Sequence, residues 1–259
     1  MKSFSYKNLS FYYGKKKILD NVNITLNSGD VIALVGSNGV GKSTLLKIIA
    51  GLISVRNESK LDTSFLINDP AFYPYLTIKQ NLIYFSKIYK NKLLDIDDVL
   101  NLVKLKHYER LKYNKCSLGM KRRLAIAKCL LKDADIYIFD EPLNGLDAKS
   151  IIDFREIIMF LETKNKIVII SSHILGELEK NCNKVFYINA EHRLLNVTLN
   201  NQNNYYIFKT DQEDYTFYGN SKELNDYIYQ LVNNKIIICD VIKESNKLEK
   251  ILLRGDNGA

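Results

Sequence analysis

The chain has 259 residues, of which 46% are hydrophobic and 25% charged, with a formal net charge of +8 and a pI near 9.1. These proportions exclude a disordered chain and allow one large domain with a small appendage. No apolar run approaches the roughly 18 residues of a membrane span, and the opening MKSFSYKNLS lacks a signal-peptide apolar core, so a cytosolic chain is expected.

Cys116, Cys129, Cys182 and Cys239 show no C-x-x-C spacing, which speaks against a zinc site or a disulfide framework. The lysines are spread along the chain among interleaved acids, which argues against nucleic acid and for a solvated surface facing an anionic membrane leaflet. In chain order, FSYKNLSFYY and VNITL flank the turn-like GKKK and predict an antiparallel hairpin that enters the main sheet. Tyr12 and Tyr13 precede Gly14, where one ring covers an adenine while the other packs inward, or both are plain core. After the turn NSGD comes VIALVGSNGVGKSTLLKIIAGL, an apolar strand running through a glycine loop into a helix. It fits G-x-x-x-x-G-K-[ST] from Gly36 to Ser43. Gly36, Gly39 and Gly41 permit the tight turns that aim backbone N–H groups at one point, and the helix start adds its positive dipole end, which makes a phosphate cradle. Lys42 supplies a charge for the β- and γ-phosphates, the Ser43 hydroxyl is placed for Mg²⁺, and Thr44 adds a phosphate contact.

A polar stretch, SVRNESKLD, leads to the short strand SFLI, predicted to end on Asn68, and to the turn NDPAFYPYL. Phe72, Tyr73 and Tyr75 in that turn form either a small local core or a knob for a partner. Thr77 caps a helix predicted over 78–90, and a second helical pattern covers 94–105, so a helical subdomain is expected over about 69–131. Ser117 and Gly119 open an amphipathic helix whose N-terminus offers a second anion site. The strand IYIFD then places Asp140 and Glu141 at its end, one carboxylate for a Mg²⁺ on the phosphates and the next for the water in line with the γ-phosphate. A helix over about 148–164 precedes the strand KIVIISSH, which ends on His173 at the edge where open α/β sheets bind ligands. A short helix after Leu175 and the strand KVFYIN close this domain near Arg193. NVTLNNQNN reads as a linker, and the tail reads as strand, strand, helix, strand, helix.

With these residues in place the chain resembles the ATP-binding subunit of an ABC transporter over about residues 1–193. GSNGVGKST matches the Walker A motif, IYIFDE the Walker B motif with its following glutamate, NGLD the D-loop and SSH the H-loop. CSLGMK occupies the signature usually written LSGGQ, keeping Ser117 and Gly119 but carrying Leu118 and Met120 in place of the second glycine and the glutamine. SLGMK, NDPAFYPYLTIKQNL and the tail's KLEKILL resemble exporters of drugs, bacteriocins and peptides.

The resemblance implies an α/β P-loop NTPase fold of ABC type, with a mixed central sheet flanked by helices, an N-terminal antiparallel β part and a helical subdomain. The ATPase domain would span 1–195, a linker 196–204 and a small α+β region 205–259. Ser37, Asn38, Gly39, Val40 and Gly41 would wrap the ATP phosphates with Lys42, Ser43 and Thr44, and Tyr13 would stack on adenine. Ser43 and Asp140 would hold Mg²⁺, Glu141 would polarise the water, and His173 would contact the γ-phosphate. Ser117, Leu118, Gly119 and Met120 would face the ATP of a second subunit in a head-to-tail dimer, linked through Asp147, and a separate transmembrane permease would be gripped near the helical subdomain at the cytoplasmic face of a bacterial membrane. One departure stands out. The family's strand-end glutamine, which touches Mg²⁺, corresponds to Asn68, one methylene shorter, and the stretch from Lys42 is short enough to lack two of the family's strands. A soluble ABC-type ATPase, for example of iron–sulfur assembly, and a nucleotide-gated module of weak hydrolysis are the competing readings. A neighbouring gene with about six apolar spans would favour the exporter.

Overall fold

In the computed structural model, residues 2–55, 62–67, 70–89, 91, 93–143, 147–171, 182–197, 204–211, 215–218, 221–234 and 236–245 are described. They fall into two compact units, residues 1–197 and 198–259. Within the first, apolar runs buried on both faces become parallel strands, as expected where helices cover a sheet on both sides. The sheet has six strands in the order β4 (Thr63–Leu66), β5 (Ile136–Asp140), β6 (Ile167–Ser171), β3 (Val31–Val35), β7 (Lys184–Ile188) and β8 (Leu194–Val197). All neighbours are parallel except β7 and β8. Leu34 and Asp140 both lie opposite Ser171, so the carboxyl ends of β3, β6 and β5 finish together.

The hairpin of β1 (Ser3–Tyr13) and β2 (Lys16–Asn27) does not enter this sheet, contrary to the sequence expectation. It is a separate two-stranded sheet, and its apolar faces, with Phe4, Leu19, Val22 and Leu26 buried, share the core with Ile32 and Leu34 of β3. Packing face to face, not edge pairing, therefore attaches it. Helix α1 (Lys42–Ile49) buries Leu45, Leu46, Ile48 and Ile49 in the same core.

The helices end where local backbone chemistry stops them. Helix α1 is closed by Gly51 at φ +72°, with Gly51 N donating to Ile48 O (2.9 Å) and Leu52 N to Lys47 O (2.8 Å), a left-handed cap that satisfies two free carbonyls. No atom lies within 4 Å of a Cβ placed on Gly51, so Gly51→Ala meets only the backbone penalty. It is expected to cost about 1 kcal/mol, read as a lower urea midpoint at unchanged slope. The same cap ends α3 (Ile96–Leu102), where Lys104 takes φ +56° and Leu105 N donates to Leu100 O (2.8 Å). The periodicity that suggested 94–105 carried no glycine to mark this stop. At the other end Asp95 is extended, so the helix begins two residues later than expected.

Helix α2 (Ile78–Ser86) opens with a capping box: Gln80 N donates to the Thr77 hydroxyl (3.1 Å) and Thr77 N to the Gln80 side chain (2.9 Å). It stops before residue 90. Buried Asn81 pins the preceding aromatic loop, accepting from Tyr73 N and donating to the carbonyls of Tyr73, Leu76 and Thr77. Short 3₁₀ turns at Lys106–Tyr108 and Tyr113–Lys115 then lead to α4 (Leu118–Leu130), and α5 (Ala148–Thr163) follows β5. No strand occurs among the described residues between α1 and β4.

The second unit is an antiparallel sheet, β10 (Tyr215–Tyr218), β9 (Asn204–Thr210) and β11 (Ile238–Ser245), joined by α6 (Ser221–Asn233) between β10 and β11. Tyr206, Phe208 and Leu231 form its small core. The helix expected at KLEKILL and the one after Leu175 lie outside the described residues.

Candidate functional site

The site begins where β3 ends. Gly36 (φ +148°) lies so close to the β7 end that an added Cβ would sit 2.6 Å from the Ile188 carbonyl oxygen, and at Gly41 (φ +116°) it would sit 2.6 Å from that of Ile18. Both contacts are with backbone, so neither position accepts a side chain, and the loop is fixed between β2 and β7. Lys42 opens α1 with its side chain folded back: Nζ donates to the carbonyls of Gly36 (2.6 Å) and Ser37 (3.0 Å), and the residue is only 7% exposed. Burial pulls the ammonium below the ordinary lysine pKa, while the carboxylates of Glu141 and Asp140 push it back up.

The Ser43 hydroxyl donates to Asp140 Oδ2 (2.8 Å), and the Ser171 hydroxyl donates to Asp140 Oδ1. Asp140 is thereby gripped on both oxygens by hydroxyls from the ends of two different elements. Glu141 follows in the left-handed region at φ +48°, a conformation that costs a non-glycine residue about 1–2 kcal/mol. Its N–H is shared between Ser171 O (3.2 Å) and Ser171 Oγ (3.0 Å). Behind it Arg122 of α4 donates to the carbonyls of Asp140 (3.0 Å), Glu141 and Pro142 (3.3 Å).

These groups surround one cleft of about 250 Å³, lined by Ile18, Asn38, Gly39, Gly41, Lys42, Ser43, Thr44, Asp140 and Glu141. Two of the loop residues expected to bind, Ser37 and Val40, are not among its walls. Val40 turns its side chain into the core, and its carbonyl is met by His192 Nδ1 (3.0 Å). Among the described residues no group of three or more His, Cys, Asp and Glu could hold a metal. The oxygen donors of Ser43 and Asp140 nevertheless suit a hard cation that takes its remaining ligands from phosphates and water.

Other expected residues stand apart from the cleft. Ser117 caps α4, its hydroxyl accepting from Met120 N (3.2 Å), while Leu118 is 68% exposed and open space surrounds Gly119. None of these four residues lines the cleft that holds Lys42. Asp147 caps α5, and its hydrogen bonds to Ser150 hold the carboxyl below the usual aspartate pKa. Tyr13 is 51% exposed, edge-on to Phe11 at 5.0 Å, and Tyr12 is also outside the core, so neither ring packs inward as the sequence had suggested for one of them. Phe72 does join a local core with Phe85 and Tyr113, whereas Tyr73 and Tyr75 point outward. Asn68 and His173 lie outside the described residues.

Sequence reasoning missed Ile18, Arg122, Ser171 and His192. Ser171, as the first residue of SSH, carried a weak signal at a strand end, but nothing local marked the other three.

A family model described as ABC transporter matches residues 19–144. The bacitracin transport ATP-binding protein BcrA of Bacillus licheniformis is 37% identical over 189 residues, 66% of this chain and 62% of its own length. The chain thus spans less than two thirds of that relative. The lantibiotic transport ATP-binding protein SrtF of Streptococcus pyogenes is 38% identical over 185 residues, 67% of this chain and 81% of its own. Among solved structures, an ATP-binding subunit of an ABC transporter superposes with a TM-score of 0.67 at 25% identity, covering 76% of this chain and 90% of that one. The dimeric cassette MJ0796, in a post-hydrolysis state with ADP and Pi, shares the fold with a TM-score of 0.64 at 20% identity, covering 76% and 99%.

Proposed function

The chain belongs to the ATP-binding protein family of ABC transporters, and from that premise we propose that it binds and hydrolyses ATP to power an exporter whose pore is a separate membrane subunit. The observation that carries this reading is the meeting of Lys42, Ser43, Asp140 and Glu141 in one cleft, although they come from elements far apart in sequence. Lys42 exchanges its two loop carbonyls for phosphate oxygens, and the N–H groups of Asn38, Gly39, Gly41 and Thr44, which line the cleft, complete the cradle. Ser43 and Asp140 hold Mg²⁺, which neutralises phosphate charge. Glu141 takes the attacking water as general base. Tyr13, half-exposed on the hairpin, supplies the adenine platform. His173 and Asn68 keep the γ-phosphate and Mg²⁺ roles that the family resemblance implies.

No helix among the described residues is long and apolar enough to cross a membrane. Tyr73, Tyr75 (78% exposed), Tyr84 and Ile88 form an apolar exposed set on the helical part, the surface we assign to the membrane subunit at the cytoplasmic face of the membrane. The transport names of BcrA and SrtF, and the exporter-like SLGMK, support this over a non-transport ATPase. The test is phosphate release by the purified chain with Mg²⁺-ATP, alone and with the permease in vesicles. Release that membranes containing the permease do not stimulate would leave an ATPase of another process.

A second copy completes the site. The open N-terminus of α4 meets the ATP of that copy, with Ser117 and the N–H of Gly119 on the γ-phosphate. Gly119→Asp puts a carboxylate against that phosphate and, with no neighbour within 4 Å, leaves the subunit's own packing intact. ATP-driven dimerisation of the Gly119→Asp chain, followed by light scattering, is expected to fall at least about tenfold, as like charges face each other at an interface. A dimer of parental strength would exclude the shared site.

A further inference from the structure

The side chain of Arg122 ties the backbone that carries the two carboxylates to α4. Arg122 donates from Nη2 to the carbonyls of Asp140 (3.0 Å) and Glu141, and from Nε to Pro142 O (3.3 Å). Such a span suits a planar guanidinium, whose donors are set in a rigid fork, and not an ammonium, which is a point charge. Glu141 sits between two anchors: its N–H is bound by Ser171 at the end of β6, its carbonyl by Arg122. A non-glycine residue at φ +48° persists only where the surroundings over-determine it, and these two anchors do so.

We infer that Arg122 is a positioning residue for Glu141. It holds the left-handed turn that keeps the Glu141 carboxylate in the wall of the cleft, and it makes the position of that carboxylate depend on α4. The inference rests on the proposed role of Glu141. It adds a physical route between two sites: α4 begins at Ser117 and Gly119, assigned above to the ATP of the second copy, and further along the same rigid helix it grips the catalytic loop of its own subunit. Docking on one ATP thus sets the geometry for hydrolysing the other.

The test is a double-mutant cycle on the full chain. Arg122→Met is expected to lower kcat about tenfold, since sub-ångström misplacement of a base is costly, with KM and the affinity for ATP changed less than about twofold. Arg122→Lys, which keeps one donor group and the charge, should recover part of the loss, and it serves in place of Arg122→Met if the apolar variant fails to fold. In the Glu141→Gln background, single-turnover hydrolysis should show no further loss on adding either change. A loss that persists in full in that background would overturn the inference while leaving the role of Glu141 intact. Parental kcat in Arg122→Met would do the same. Parental turnover in Glu141→Gln alone would remove the role of Glu141 and the inference with it.

Discussion

Glu141→Gln is expected to bind ATP as the parent does, to accumulate as an ATP-bound dimer, and to lose about 10²-fold or more in turnover. The substitution keeps the side chain's size and leaves the main-chain bonds to Ser171 and Arg122 untouched, so the loop geometry survives. What disappears is the ability to take a proton from water. Removing a negative charge from the cleft that Lys42 also lines does not weaken phosphate binding, and that separates this variant from one that merely unfolds the loop. Single-turnover phosphate release with parallel light scattering reads both parts. Hydrolysis at the parental rate would assign the base to another residue.

Lys42→Ala acts earlier, on binding. The ammonium is buried and pre-placed, bonded to two carbonyls of the loop it serves, so little ordering is needed when phosphate arrives. Loss of a charge-assisted bond of this kind costs roughly 2–3 kcal/mol, or about 30- to 150-fold in the Kd for ATP. Fluorescent-nucleotide titration measures it directly. The substitution also removes the two Nζ bonds to the Gly36 and Ser37 carbonyls, but it leaves the backbone approaches at Gly36 and Gly41 in place. An unchanged Kd would mean that backbone N–H groups alone carry the phosphates.

The features most legible in the sequence are those whose signals are short-ranged. The glycine spacing from Gly36 to Gly41 announces the cradle because only glycine tolerates the backbone approaches found there. The caps at Thr77 and Ser117 are legible because a side chain three residues from its N–H partner needs no fold to find it. The stop of α3 was not legible, since Lys104 takes the left-handed position that glycine usually marks.

By itself, then, the sequence determined the strand-to-helix phosphate loop, the order of the motifs and the pair of carboxylates at a strand end. Tertiary structure alone decided which ends become neighbours. Ser43 and Asp140 are 97 positions apart, and they touch because the sheet order β5-β6-β3 brings the end of β5, which carries Asp140, near the end of β3, which leads into α1 and Ser43. That same order delivers Ser171 to Asp140 and to the N–H of Glu141. The grip of Arg122 on three carbonyls depends on where α4 packs, and the separate hairpin depends on core burial outweighing edge pairing. Local chemistry repeats along any chain, whereas a sheet order is a choice among long-range pairings that burial of the whole core decides.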